Sequence, residues 1–173
     1  ELDRVRDFLF ECFDNAEFQM RSRAFAMIAL GLLGDQPTTR GIPVTADKGG
    51  LMYAPADTAL ESSTSQRIFD RLSEKYPSDD YYVSALLALS MQAPDTIKPE
   101  MLDVLKECAL KGKLGKENAS DLVSSYAALA LGRVGSAREI QPLATAMKIK
   151  GTGINVKRSA AISPVSYTHL ALP

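Results

Sequence analysis

Three stretches of this 173-residue chain share one apolar signature: Ala24-Phe-Ala-Met-Ile-Ala-Leu-Gly31, Val83-Ser-Ala-Leu-Leu-Ala-Leu-Ser90 and Ser125-Tyr-Ala-Ala-Leu-Ala-Leu-Gly132. Laid over one another, they match Ala26 with Ala85 and Ala127, Ala29 with Ala88 and Ala130, and Leu30 with Leu89 and Leu131. Small residues three apart on one helical face let neighbouring helices approach closely, and the large residues beside them fill the remaining space. None of the stretches alternates apolar with polar residues, and each is too long for a strand, so all three are predicted helices. Units of this kind bury their apolar sides against one another rather than alone.

A break follows each helix, at Gly34-Asp35, Ala93-Pro94-Asp95 and Gly135-Ser136. The glycines are expected to supply the left-handed residue that stops a helix. A second helix is then predicted in every unit. The first runs from Gln66 to Lys75 and stops before Pro77. The next runs from Pro99, suited to a first turn, to about Lys111. In the third, Ser136-Ala-Arg-Glu139 has capping-box spacing, and the helix extends to about Lys148. Ile68, Met101 and Leu143 then coincide, as do Leu72, Leu105 and Met147. Units two and three keep the same offset of 42 positions in both helices. Leu2 to Phe13, with Val5, Leu9, Cys12 and Phe13 on one side, reads as the second helix of an earlier unit. Residues 156–162 read as the opening helix of a later one.

Ala-Leu helices punctuated by glycine, such as Ala127-Ala-Leu-Ala-Leu-Gly-Arg-Val-Gly135 followed by Glu139-Ile-Gln-Pro-Leu143, resemble HEAT repeats. The short variety also found in phycobilisome lyases is the closest in flavour. The resemblance covers about residues 1–162. It implies an all-α, HEAT-type α-solenoid of stacked antiparallel helix pairs with one long loop insertion. About three full units would be flanked by partial ones, with second helices lining an inner partner-binding surface. Armadillo and tetratricopeptide arrays fit less well: the third armadillo helix is missing, and so is the tetratricopeptide aromatic pattern.

Two regions depart from the pattern. Across residues 36–61, Pro37, Gly41, Pro43, Gly49, Gly50 and Pro55 forbid a continuous helix through most of the segment. Insertions beyond about 12–15 residues are uncommon and usually functional or disordered. Leu51-Met-Tyr53 is apolar enough to be expected against the helices, and Asp57 is placed to cap a helix from Thr58. At the far end Pro164 interrupts the last expected helix. Residues 163–173 resemble translated sequencing-adapter sequence and are expected to be a non-native or extended tail. The chain opens at Glu1 rather than Met, and the native N-terminus is expected upstream.

The residue inventory narrows the function classes. Apolar residues make up 46% of the chain and aromatics 7%, with no Trp, which suits closely packed helices. Twenty basic residues against 21 acidic ones create no global field for nucleic acid or an acidic membrane. No apolar run reaches the roughly 18 residues that read as a membrane span. Cys12 and Cys108 lie within apolar-periodic stretches and are expected as buried free thiols. His169 is the single histidine, so neither a zinc site nor a nucleophile–base pair can be assembled. Gly151-Thr-Gly153 reads as a turn between helices, and Asp79-Asp80 as acidic residues opening one. Two basic clusters, one of Lys106, Lys111, Lys113 and Lys116 and one of Lys148, Lys150, Lys157 and Arg158, are dipole partners at helix ends or phosphate contacts along one edge.

The resulting expectation is a non-catalytic protein-binding scaffold with no cofactor and no metal. Its partner would lie on two rows of the second helices, Asp70, Asp103 and Thr145, then Ser73, Lys106 and Lys148, flanking Leu72, Leu105 and Met147. The alternatives are part of an enzyme, such as a lyase-type HEAT protein, and a phosphate- or nucleic-acid-binding solenoid. At the two ends, Phe8, Phe10 and Phe13, and then Leu143 and Met147, are expected to be left partly uncovered.

Overall fold

The computed structural model describes residues 2–33, 44–45, 51–52, 64–92, 96–135, 137–149 and 153–162. The fold is predominantly α-helical, with eight helices among the described residues: α1 (Leu2–Asp14), α2 (Met20–Leu33), α3 (Thr64–Leu72), α4 (Asp79–Ser90), α5 (Pro99–Lys111), α6 (Asp121–Val134), α7 (Ile140–Lys148) and α8 (Ile154–Ile162). A two-residue ladder pairs β1 (Val44–Thr45) with β2 (Leu51–Met52), antiparallel, Val44 opposite Met52. A second pairs β3 (Lys113–Leu114) with β4 (Glu117–Asn118).

Local chemistry explains the helix ends. Ser78 caps α4 by accepting from the Asp80 backbone N–H at 3.2 Å, and Ser120 caps α6 by accepting from Val123 N–H at 3.2 Å. Asp79, Asp80 and Asp121 lie in the first turns, where the helix dipole favours negative charge. Pro99 opens α5 as expected, and Gly112 closes it in the left-handed conformation at φ 64°. Gly135 does not do the same for α6. Its φ is −72° and ψ −172°, extended backbone, with its N–H still bonded to the Leu131 carbonyl. Gly34, Ser136 and the 93–95 break lie outside the described residues, as do Asp57 and Tyr53. Glu139, expected in a capping box, ends a 3-10 turn (Ala137–Glu139) before α7 and is buried.

The repeated positions meet in the core. Ala26, Ala85 and Ala127 are buried, as are Leu30, Leu89 and Leu131, and Ile68, Met101 and Leu143. Helices α2, α4, α6 and α8 touch in succession, while α1 packs on α2, α3 on α4, α5 on α6 and α7 on α8. Helices α2 and α4 approach closely: a Cβ built on Gly31 would lie 2.6 Å from Ala88 Cα.

Three expectations change. Leu143, expected to be left partly uncovered, is buried, while Met147 beside it is 37% exposed, unlike its buried counterparts Leu72 and Leu105. Leu143 and Ala146, three apart, form the buried face of α7, so Met147 turns onto the rim. Helix α3 ends at Leu72, short of Lys75, and Ser73 lies in a turn bonded to the Asp70 carbonyl. The Tyr76 N–H donates to the Tyr82 hydroxyl at 3.0 Å instead of continuing a helix ladder. Finally, Phe10 and Phe13 are not left open. The Arg67 and Arg71 guanidinium groups lie 3.9 and 4.5 Å from the Phe10 ring centre. Phe13 meets Tyr76 and Tyr81 edge-on at 5.6 and 5.8 Å. Phe8 remains 59% exposed.

Candidate binding surface

The second helices α3, α5 and α7 carry the residues singled out from the sequence. Asp70, Asp103, Thr145 and Lys148 are exposed, as is Ser73 in its turn, while Lys106 is half-buried. Several are engaged locally. Asp70 accepts from Gln66 Nε2 at 2.7 Å, and the Thr145 hydroxyl donates to the Gln141 carbonyl at 2.9 Å. Asp103 and Lys106 are brought together at 3.2 Å, and Lys106 Nζ also lies 3.4 Å from the buried Glu139 carboxylate. Burial pulls the Lys106 ammonium down, but its hydrogen bonds to Asp103 and Glu139 outweigh that and hold it above its ordinary value. Lys106 thus pins α5 to the start of α7, a role that α-helical periodicity did not reveal.

Beside Ser73 opens a cleft of about 570 Å³ between the 73–79 turn and the β3–β4 hairpin. The hairpin turns through Gly115 and Lys116, and only Gly115, at φ 61°, is left-handed. A two-residue loop beginning with Gly is the sequence signal that announces such a turn, here Leu114-Gly-Lys-Glu117. Tyr76 and Tyr82 form one wall. Tyr76 stacks on Tyr81 at 4.9 Å, and its hydroxyl donates to Glu74 Oε2 at 2.9 Å. Burial first, then that carboxylate, pushes the phenol well above its ordinary value, so it stays protonated. The carboxylates around the cleft are occupied: Glu74 by Tyr76, Asp79 Oδ2 by the Ser120 hydroxyl at 2.6 Å, and Glu117 by Lys75 at 3.7 Å.

Within the basic clusters, two lysines of the first are paired with carboxylates. Lys106 is paired as above, and Lys111 Nζ lies 3.2 Å from Glu107. At the α8 N-terminus the Asp121 carboxylate already takes the anion's place. It accepts from Asn155 Nδ2 at 2.9 Å and packs directly on Gly153. Lys113, Lys116 and Lys148 are exposed, and Lys150 lies outside the described residues.

Among the described residues, no group of three or more His, Cys, Asp or Glu is placed to hold a metal ion, and no helix is long and apolar enough to cross a membrane. Both cysteines are free thiols. Cys108 is buried, and burial pushes its thiol up to about 12 against a hydrogen bond from Ser124 that lowers it. Cys12 is only half-buried.

Sequence reasoning missed two outer grooves of about 350 and 340 Å³ along the first-helix row. Phe25 and Ile28 of α2 line one, and Tyr126 and Leu129 of α6 occupy the same register in the other. Compared with known protein families, curated proteins and solved structures, the chain gives no match.

Proposed function

We propose that the chain is an array of HEAT-type helix pairs, a non-catalytic scaffold that holds a protein partner on the surface of α3, α5 and α7. The observation that carries this reading is the position of the large cleft. It opens beside Ser73, at the end of the same second-helix row that exposes Asp70, Asp103, Thr145 and Lys148. The cleft pairs tyrosine walls with flanking charges, the mixture that protein interfaces favour over bare charge. Its carboxylates are committed to neighbours, which supports binding over acid–base chemistry. The succession of contacts along α2, α4, α6 and α8, built on one repeated apolar register, supports the repeat reading.

The test is affinity capture compared between wild type and a variant carrying Asp70→Ala, Asp103→Ala and Lys148→Ala with Tyr82→Ala in the cleft. A protein held by wild type and lost by the variant, with hydrogen-exchange protection on α3 and α5, supports the reading. Undiminished capture by the variant, with protection confined to the α2/α4 outer groove, refutes it.

A further inference from the structure

The β3–β4 hairpin leaves the backbone of one residue unused on the side of the cleft. Its register pairs Leu114 with Glu117 and Lys113 with Asn118, and the Ala119 N–H donates to the Gly112 carbonyl at 2.8 Å. In an antiparallel ladder, pairs that exchange hydrogen bonds alternate with pairs that do not. Gly112 and Ala119 are a bonded pair, so Lys113 and Asn118 are an unbonded one, and their N–H and C=O groups point out of the hairpin. Asn118 is exposed, and no backbone hydrogen bond among the described residues engages those outward groups.

The β4 edge borders the cleft. Glu117, Asn118 and Ala119 line it, together with Leu114 but without Lys113 of β3. Buried Leu72, Leu114 and Val123 give the cleft an apolar floor, and Tyr76 and Tyr82 stand across from the hairpin. Its volume of about 570 Å³ suits a ligand the size of a few residues. Both walls belong to the continuously described segments 64–92 and 96–135, well inside the chain. An unpaired strand edge is a template for another strand. A helix has no backbone donor or acceptor to spare for Asn118 except at its ends, because its own groups bond to one another. An extended chain offers both, and turns every second side chain toward the floor.

We propose that the cleft binds an extended peptide segment of a protein partner, added as a third strand beside β4. Its backbone bonds the Asn118 N–H and C=O, and an apolar side chain rests on Leu72, Leu114 and Val123. The proposal rests on the reading of this cleft as part of the partner surface and names the form the partner takes there.

The experiment selects displayed random peptides on the whole chain, then titrates the selected peptides against wild type and Asn118→Pro. Proline removes the outward N–H and is tolerated on a strand edge, so the hairpin keeps its own bonds. Unchanged thermal melting checks that it does. Wild type is expected to select peptides rich in β-branched and aromatic residues. Asn118→Pro should weaken their binding about 3–10-fold, the net worth of one hydrogen bond. N-methylation walked along a selected peptide should single out one amide, the donor to the Asn118 carbonyl, and this arm needs no variant to fold. Three results overturn the proposal: no peptide selected, binding to Asn118→Pro within about twofold of wild type, or indifference to N-methylation at every amide. A protein partner that depends on Asp70, Asp103 and Lys148 but ignores Asn118→Pro would overturn the added strand and leave the scaffold reading intact.

Discussion

Replacing Gly31 by alanine tests the close approach of α2 to α4. A methyl group there would lie 2.6 Å from Ala88 Cα, 3.0 Å from Ala88 Cβ and 3.2 Å from the Ala88 carbonyl oxygen. All but one of these atoms are backbone of α4, which no rotamer change can move away. The helices must separate to reach van der Waals distance near 3.5–4.0 Å. Overpacking of this sort costs about 1–3 kcal/mol, and a rigid backbone neighbour places Gly31→Ala in the upper half. Against that, alanine is better than glycine within a helix by about 1 kcal/mol. The expected net loss is about 1–2 kcal/mol. For a chain of this size that lowers the melting temperature by about 2–8 °C, measured by far-UV circular dichroism. Adding Ala88→Gly should recover little, because the nearest atom is a Cα that glycine retains. Stability equal to or above wild type would mean that helix propensity wins and that α2 and α4 do not approach this closely.

Phe13→Ala, which empties a fully buried site beside Tyr76 and Tyr81, is expected to cost about 3–5 kcal/mol in urea unfolding. Ser120→Ala removes both the α6 cap and the donor to Asp79, and a loss of about 1–2 kcal/mol should appear in the same assay. Gly112→Ala forces a side chain into left-handed backbone at φ 64°, with about 1–2 kcal/mol of destabilisation. The Cys108 thiol is held neutral by burial, so its contribution is intact below its ordinary value near 9 and is lost as pH rises toward about 12. Cys108→Ala should flatten that alkaline loss of stability, and a thiol reagent should label native Cys108 only as fast as the fold opens.

The helices and their spacing were legible because both depend on short-range pattern. Ala26, Ala85 and Ala127 were found in the core, and Pro99 at the first turn of α5, because residues three or four apart share a helical face whatever the surroundings. Of the partner rows, the exposure of Asp70, Asp103, Thr145 and Lys148 followed from the same periodicity. The engagement of Lys106 by Glu139 did not, since those residues are far apart in sequence and meet only when α5 and α7 touch.

What the sequence by itself determined is therefore the helical content and the inward side of several helices, with Ala26, Ala85 and Ala127, and Leu30, Leu89 and Leu131, in the core. Tertiary structure decided the rest. It alone showed that α3 stops at Leu72, because the Tyr76 N–H finds a hydroxyl on α4 rather than a carbonyl of its own helix. Only the packed chain covers Phe10 with Arg67 and Arg71, residues on α3, and brings the 73–79 turn opposite the β3–β4 hairpin to open the cleft. Periodicity specifies which side of a helix turns inward. Which helix arrives there, and how near, depends on contacts between residues distant in the chain, and no local pattern encodes them.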